Sequence, residues 1–353
     1  MPVSVRRLCL QAFCRHRFIG HCRRSSMAEP IDLSIAVIVP AHNAKAYLAR
    51  CLTGLMAAGF STDEIVLVDD ASTDRTVEIA RTFNVEPLSI SANAGAANAR
   101  NVGVRATKAD ILFFVDADVV VHPDTRRRVL AFFTEHPQYA AVFGSYDDDP
   151  AANTVVSRFR NLLHRHVHIE GAGKAVTFWT GCGAVRREAF ERAGGFDAKQ
   201  AMMEDIKLGL ELTTRGETIW LDPGIQGKHL KRWTLQSMFR TDMFHRAIPW
   251  ARMLQTDLGE ASSYALNLSL KGRLSGIAVA ASLLGLMALL IAPAIGAILI
   301  ASAFGLLAYA NGSFIRSVFA ERGVFEAAAA IPLLWVHYLA ACLGYAWVLL
   351  RLP

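Results

Sequence analysis

The chain has 353 residues, 53% hydrophobic and 19% charged, with a net charge of +6 and a mean hydropathy of +0.29. It is too apolar for an ordinary soluble protein and too charged for a purely membrane one, so the values average two different parts. The composition excludes a disordered chain, and six cysteines without a close CxxC pair argue against a metal knuckle or a secreted disulfide framework.

The positive charge is concentrated in two stretches. Six arginines precede the first acidic residue, Glu29, and eight Lys or Arg against three acids lie between Gly227 and Arg273. Cations beside apolar spans are typical of contact with anionic membrane lipid, which we favour over nucleic acid as a partner. Residues 1–30 are predicted to be a basic arm outside the fold. This arm could direct the protein to a compartment or to a membrane surface. We prefer the alternative that translation starts at Met27 and that the arm has no function.

Residues 31–234 alternate short β-rich runs with helical patterns. The runs are Ile35–Val39, Glu64–Val68 and Ile111–Val115. Ala44–Ala58 predicts a helix that Gly59 ends, while Ser72 and Asp74 offer a cap for a helix over Thr76–Phe83. This order predicts an α/β fold with a mostly parallel central sheet, in which ligands bind beyond the carboxyl ends of the strands.

Polar and acidic residues follow three of the predicted strands at that edge. The segments are PAHN (Pro40–Asn43), DDASTD (Asp69–Asp74) and DAD (Asp116–Asp118). The edge lacks GxGxxG and GxxxxGK[ST], the usual signatures of hydride transfer and of P-loop ATP hydrolysis. A diphosphate bound beside these carboxylates needs a cation, and Mg²⁺ or Mn²⁺ held by one or two carboxylates plus the phosphates meets that need.

Several segments between Ile35 and Trp233 resemble the family 2 glycosyltransferases of the GT-A fold. They are, in order, VIVPAHNAKAYLARCL, EIVLVDDASTDRT, NAGAANARNVGVRATKADILFFVDADVVVHPD and GGFDAKQAMMEDIKLGLEL. The resemblance implies a GT-A nucleotide-sugar-binding domain over residues 31–234. It also implies a hexosyltransferase-like enzyme that takes a UDP- or GDP-linked donor and inverts the anomeric carbon.

The resemblance assigns roles to individual residues. The donor pocket would be framed by Pro40, Ala41, Asn43, Asp70, Asn93, Arg100, Asn101 and Asp116. Asp116 and Asp118 would be the metal-binding pair, with Asp118 facing the metal, although Asp116 alone also suits a turn at a strand end. A metal on the leaving diphosphate stabilises its growing negative charge.

Asp205 follows GGFD at the start of a helical pattern over Asp205–Thr214 and, by the resemblance, would be the general base. Glu204 would lie on the acceptor side and stabilise the helix start. The alternative is that both are helix N-terminal acids favoured by the macrodipole. If the acceptor is a lipid phosphate, which is already ionised, Asp205 would position the acceptor or the metal instead.

The segment HLKRW, His229–Trp233, matches Gln-x-x-Arg-Trp of processive family members at Arg232 and Trp233, which would hold the acceptor. His229 replaces the Gln, which argues against processivity and leaves His229 as a metal ligand or a loop histidine.

Two further segments allow alternatives. TGCGAVRRE resembles the acceptor-side segment, where Gly181 and Gly183 would admit substrate or bend a strand. The run HRHVHIE lies in a helical pattern, so His164, His166 and His168 are predicted to lie on a solvated face rather than to bind a metal.

The last third of the chain predicts membrane attachment. Residues 235–273 suit an interfacial or juxtamembrane helix, or a helix packed on the preceding domain. Residues 274–353 predict spans at 274–291, 294–310 and 328–350, with a hairpin at Ala292–Ala294. His337 in the third span predicts a hydrogen bond to a neighbouring helix or a functional group. The flanking cations are Lys271, Arg273, Arg316 and Arg322, which place the first domain in the cytoplasm.

Together these features predict an inverting, metal-dependent, membrane-anchored glycosyltransferase with a lipid-linked or glycan acceptor. The alternatives are a processive polysaccharide synthase or a subunit of one, and a catalytically idle scaffold of the same fold. The sequence does not identify the sugar, the nucleotide or the acceptor.

Overall fold

The structure is a computed structural model that describes residues 33–200, 202–255 and 270–350. The predicted basic arm and part of the predicted juxtamembrane segment, residues 256–269, lie outside the described residues.

The first part of the chain forms an α/β domain. Its strands are β1 (Ile35–Ala41), β2 (Ile65–Asp70), β3 (Leu88–Ile90), β4 (Ile111–Val115), β5 (Val119–Val121), β6 (Ala141–Tyr146), β7 (Gly173–Ala175), β8 (Cys182–Arg186) and β9 (Ile219–His229). Its helices are α1 (Leu48–Ala57), a 3₁₀ turn (Thr62–Glu64), α2 (Thr76–Thr82), α3 (Gly95–Arg105), α4 (Thr125–Glu135), α5 (Val155–Glu170), α6 (Arg187–Arg192) and α7 (Glu204–Thr214).

A single mixed sheet organises this domain, with strand order β3-β2-β1-β4-β8-β6-β9-β5 and β7 paired on β9. Strands β1 to β4 are parallel to one another, β8 runs antiparallel to both β4 and β6, and β9 is parallel to β6. The predicted α/β class is confirmed. The parallel half brings the carboxyl ends of β1, β2 and β4 to one edge, where the GT-A-like motifs end.

Apolar packing on both faces of the sheet explains why the central strands are continuous hydrophobic runs. Every residue of β4 is fully buried, and two hydrophobic cores lie on opposite faces of the sheet. Helix α1 begins at Leu48, later than predicted, because Ala44–Tyr47 forms a turn in which the Ala44 amide donates to Thr76 Oγ1 at 2.8 Å. Gly59 ends the helix with φ 87°, as predicted.

Helix α7 lies against the segment before β8 through Gly209. A Cβ at Gly209 would stand 2.3 Å from the Phe178 backbone nitrogen and 2.5 Å from the Thr177 carbonyl carbon. Because backbone cannot move aside as a side chain can, Gly209→Ala is expected to lower the free energy of unfolding by about 1–3 kcal/mol or more. Thermal unfolding of the purified chain checks this, with Gly305→Ala as the control, since a Cβ there meets nothing within 4 Å. Equal unfolding temperatures for the two variants would contradict the packing described.

The second part of the chain is helical. The segment Leu235–Met253, here called the interfacial helix, is continuous and consists of α8 (Leu235–Arg240), a π-helical stretch (Thr241–Ala247) and α9 (Ile248–Met253). It is followed by α10 (Leu270–Ala288), α11 (Pro293–Ala310), α12 (Gly312–Arg322) and α13 (Val324–Leu350). Helices α10, α11 and α13 are long and apolar enough to cross a membrane, and the predicted hairpin falls between α10 and α11.

The interfacial helix contacts both the α/β domain and α13. Asp242, 2% exposed, lies 3.1 Å from the Arg160 guanidinium of α5 and 2.8 Å from His337 Nδ1 of α13. The predicted hydrogen bond from His337 to a neighbouring helix is therefore present. The π-helical stretch, a local irregularity common at functional sites, starts one residue before Asp242.

Candidate active site

The loops that follow β1 and β2 lie side by side. Pro40 and Ala41 pair with Val68 and Asp69 at the ends of the two strands. The Asn43 side-chain oxygen accepts from the Thr73 backbone amide at 2.9 Å, and the Asn43 backbone amide donates to Ser72 Oγ. These two bonds tie the loops together. These bonds explain how Asn43 is held at φ 51°.

Asp70 fixes the loop before α3 beside them. It is 3% exposed, and its two carboxylate oxygens accept from the amides of Ala94 and Gly95 at 2.8 Å each. The Asn93 side chain donates to the Asp70 carbonyl at 3.3 Å. Both Asp70 oxygens are thus already used by the backbone at the start of α3, and its predicted contact with a base or ribose stays a prediction.

Four carboxylates meet beside the end of β4. They belong to Asp116, Asp118, Glu204 and Asp205. Arg100 on α3 lies among them, with its side chain 4% exposed, and donates to Asp116 Oδ1 at 2.7 Å and Glu204 Oε1 at 2.6 Å. Arg100 was predicted to frame the donor pocket. In this structure it joins the acid after β4 to the first residue of α7.

The buried charge of Arg100 leads to a stability prediction. Arg100→Ala leaves Asp116 and Glu204 without their cation, so the free energy of unfolding is expected to fall by about 3–5 kcal/mol. Arg75→Ala is the matched control, because Arg75 pairs with Glu78 on the surface, where such pairs contribute little. Chemical unfolding of both variants is the measurement, and a similar small change in both would contradict a buried bridging role for Arg100.

Asp205 lies at the first turn of α7, close to Asp116. Burial and the neighbouring Glu204 raise the pKa of its carboxyl to about 7, although Arg100 acts in the opposite direction. The residue before the helix, Met203, adopts a left-handed conformation with φ 64°, which is unfavourable for a side-chain-bearing residue and is found mainly where a site imposes it. A carboxyl with this pKa can accept a proton near neutral pH.

Asp118 faces His229 at the end of β9, with 3.6 Å between Asp118 Oδ2 and His229 Nε2. The predicted metal ligands Asp118 and His229 are thus brought together. Burial acts to raise the pKa of Asp118, but His229 and the Lys231 ammonium outweigh it, so the pKa lies below its usual range. Asp116 differs, because burial with Asp118 and Glu204 nearby raises its pKa despite Arg100.

These donors fit a divalent cation that is shared with a substrate. Within the described residues, no three His, Cys, Asp or Glu side chains are grouped so as to hold a metal unaided. A carboxylate and an imidazole facing each other at 3.6 Å supply two ligands, and the three carboxylates of Asp116, Glu204 and Asp205 around the single Arg100 guanidinium favour a further cation nearby. Mn²⁺ and Mg²⁺ commonly complete such sites with substrate phosphates and water.

An aromatic stack supports the His229 ring. Tyr146 lies face to face with it at 4.4 Å and 14°, and His164 packs on the same tyrosine at 4.4 Å. His168, 7% exposed, donates from Nδ1 to the Gly144 carbonyl at 2.9 Å, and its ring lies 4.0 Å from the His164 ring. The prediction of a solvated face is therefore wrong for His164 and His168. Their helix turns this face toward the sheet, and burial lowers the pKa of His168 to about 4.

Trp179 packs against the Tyr146 and His164 rings and leaves no room for a side chain at two neighbouring glycines. Its ring lies 4.7 Å from His164 and would be 2.2 Å from a Cβ at Gly181. A Cβ at Gly183 would stand 2.2 Å from the Trp179 carbonyl oxygen. Trp179 therefore packs against both glycines, and their predicted role in bringing substrate close to the backbone stays a prediction.

Trp233 is buried between cations and helices. It is 7% exposed, with the Arg160 guanidinium 5.2 Å and the Lys231 ammonium 4.4 Å from its ring. Its amide donates to Ser157 Oγ at 2.9 Å, so α5 fixes its position. Arg232 beside it is exposed. Their predicted contact with the acceptor stays a prediction.

Sequence reasoning missed Tyr146, Trp179 and Lys231. Tyr146 and Trp179 belong to no motif, and their roles follow from strand pairing and from the packing of α5 on the sheet. Lys231 was available as a signal, because it lies inside HLKRW, two residues from His229.

Comparison with known proteins gives a family match over part of the chain and a similar fold. Residues 36–194 match the model of glycosyl transferase family 2. An uncharacterized glycosyltransferase of Haemophilus influenzae is 28% identical over 190 residues, which cover 50% of this chain and 61% of that protein. The poly(ribitol-phosphate) beta-N-acetylglucosaminyltransferase TarS of Staphylococcus aureus is 31% identical over 111 residues, or 30% of this chain and 19% of that protein. The chain therefore spans less than two thirds of these curated relatives.

Among solved structures, the chain is similar to the mannosyltransferase PcManGT from Pyrobaculum calidifontis, described in complex with GDP-Man and Mn²⁺. The TM-score is 0.55 with 18% identity, and the likeness covers 89% of this chain and 87% of that one. At this identity the likeness shows the fold alone, and it confirms the predicted GT-A architecture.

Proposed function

Residues 36–194 place this chain in glycosyl transferase family 2, and from that premise we propose that it transfers a sugar from a nucleotide-sugar donor to a lipid-linked acceptor, inverting the anomeric carbon. The observation that carries the proposal is the convergence of Asp118 and His229 with Asp205 at the edge where β1, β2 and β4 end. Among the proteins described above, TarS is named an N-acetylglucosaminyltransferase and PcManGT is described in complex with GDP-Man, which supports a nucleotide-linked hexosyl donor.

The residues divide the work of transfer between them. The loops after β1 and β2 receive the nucleotide, and Arg100 holds Asp116 in place beneath the diphosphate. Asp118 and His229 would hold Mn²⁺ or Mg²⁺, which when bound stabilises the negative charge of the departing diphosphate. Asp205 accepts the proton of the acceptor hydroxyl on the face of the sugar opposite the leaving group. Attack from that face gives inversion.

Membrane attachment is part of the proposal. Helices α10, α11 and α13 are the three apolar helices long enough to cross a membrane in the described part of the chain. Lys271 at the start of α10 pairs with Glu170 of the α/β domain at 3.0 Å, and Arg322 at the end of α12 donates to the Asp148 carbonyl. Both cationic ends thus lie on the side of the catalytic domain, which by the positive-inside rule is cytoplasmic.

The test is product analysis with the full chain in lipid nanodiscs. Radiolabelled UDP- and GDP-sugars are supplied with Mn²⁺ and a membrane lipid extract, and NMR determines the anomeric configuration of the isolated product. We expect label to enter an organic-extractable product with the configuration opposite to that of the donor. A water-soluble polymer would favour the processive synthase, and absence of transfer from every donor would favour the idle scaffold.

A further inference from the structure

A groove of about 980 Å³ lies between the interfacial helix and α13. Its walls are largely apolar and include Leu235, Phe239, Phe244, Val336 and Leu339. Leu235 and Phe244 are 49% and 47% exposed, an unusual state for large apolar side chains unless lipid or a ligand covers them. The volume is at the upper end of the range of about 300–1,000 Å³ found for small-ligand sites.

Basic side chains mark one end of this groove. Arg240 and His245 line it, and Lys231 lies close enough to His245 that burial, Arg240 and Lys231 together lower the pKa of His245. In the described ranges, no acidic side chain lies within ion-pair distance of Lys231, Arg232 or Arg240. Lys231 and Arg240 both act on His245, and like charges repel one another, so an anion at this position would be stabilised.

Lys231 connects the groove to the catalytic carboxylates. Its ammonium lies 4.4 Å from the Trp233 ring, and the amide of the preceding residue, Leu230, donates to the Asp118 carbonyl at 2.8 Å. Asp118 in turn is close to Asp116, and Asp116 to Asp205. In a molecule whose hydrocarbon chain lies in the groove and whose charged group lies at Lys231, the part beyond the charged group would therefore point toward Asp205.

We propose that this groove binds the hydrocarbon chain of an acceptor lipid whose phosphate lies against Lys231 and Arg240, and whose attacking hydroxyl lies beyond that phosphate. The inference rests on the proposed function and narrows its acceptor. The positive charges of Lys231 and Arg240 favour an anionic lipid over a neutral glycolipid. If Asp205 is a base, the attacking group must carry a proton, so it is a hydroxyl and not the ionised phosphate oxygen. The acceptor class is thus a lipid-phosphate-linked sugar or polyol.

The test is photo-crosslinking of the full chain in phosphatidylcholine nanodiscs. The probes are a diazirine-bearing farnesyl monophosphate and the farnesol with the same diazirine, and mass spectrometry locates the adducts. We expect the phosphate probe to label the interfacial helix and the Val336–Leu339 turn, and excess inorganic phosphate not to compete. Uniform labelling of all lipid-facing surfaces, or equal labelling by the alcohol, would overturn the proposal.

Two variants with matched controls sharpen the test. Leu339→Trp fills the groove and is expected to lower labelling by the phosphate probe at least about tenfold, while Leu284→Trp, on the exposed face of α10, leaves it unchanged. Arg240→Glu is expected to lower labelling by the phosphate probe about tenfold or more, while Arg252→Glu, exposed on the same helix and outside the groove, has no such effect.

Crosslinking needs neither donor nor turnover, so the two proposals fail separately. Transfer to an extractable lipid without groove labelling would overturn the groove and leave the proposed function standing. Groove labelling without transfer from any donor would overturn the proposed function and leave the lipid-binding groove standing.

Discussion

Asp118→Ala is expected to lower the turnover number for sugar transfer by about three orders of magnitude, because a metal on the leaving diphosphate contributes several kcal/mol to the transition state. Asp118 is the acid that faces His229, 3.6 Å away, and its pKa below the usual range keeps it ionised and ready to bind a cation. Initial rates of nucleoside diphosphate release at saturating donor and Mn²⁺ are the measurement.

Asp63→Ala is the matched control for that loss. Asp63 is an exposed acid in the 3₁₀ turn before β2, remote from the edge where Asp118 lies. We expect it to transfer sugar at the wild-type rate. An Asp118→Ala enzyme that retained more than about a tenth of the wild-type rate would contradict a metal held by this carboxylate.

Asp205→Asn is expected to lower the turnover number by about 10²–10⁴-fold, the usual contribution of a general base. The pH profile carries the more specific prediction. The pKa of Asp205 is raised to about 7, and the base acts only when ionised, so the wild-type rate should rise with pH through about 7 and then level off. The variant, which has no carboxyl to ionise, should lose this rise.

Glu211→Gln is the control on the same helix, because Glu211 pairs only distantly, at 3.9 Å, with Arg215. We expect it to keep both the rate and the pH profile. A wild-type rate that is constant between about pH 6 and pH 8, with Asp205→Asn reduced equally at each pH, would assign Asp205 to positioning and contradict its role as base.

Much of the fold could be predicted because local patterns and global packing agree. The continuous apolar run ILFFV predicted a strand over Ile111–Val115, and that strand is fully buried with the same bounds. The three apolar helices and the hairpin between the first two were likewise predictable, since absence of charge over a membrane-length segment leaves few alternatives. Helices α10 and α13 each begin four residues before the predicted span. The charged residues Lys271 and Glu326 lie within these helices and pair with the α/β domain, so a charged residue did not mark the helix start.

The candidate site was predictable only where a residue lies in a recognisable motif. Asp118 after a buried strand and His229 before Arg232 were identified from local sequence, and the structure brings them together across β5 and β9. Arg100 was assigned to the donor pocket, but its bond to Glu204 joins residues 104 apart, a distance along the chain that no periodicity encodes.

The histidines of α5 show the same limit. Their helical pattern was predicted correctly, but which face is buried depends on Trp179 and Tyr146, which come from other elements. Side chains from separate elements meet only after the sheet has formed. Sequence patterns therefore predict secondary structure more readily than they predict which face of a helix packs against the sheet.

The central claim is that Asp118 and His229 hold a divalent cation together with the donor diphosphate. Mn²⁺ binding to the full chain in nanodiscs, followed by electron paramagnetic resonance with and without UDP or GDP, tests it directly and needs no acceptor. We expect the nucleotide to tighten Mn²⁺ binding in the wild-type chain and in Asp63→Ala, and Asp118→Ala to weaken it by about tenfold or more. Mn²⁺ and nucleotide binding that are independent of each other and unchanged in Asp118→Ala would contradict the account.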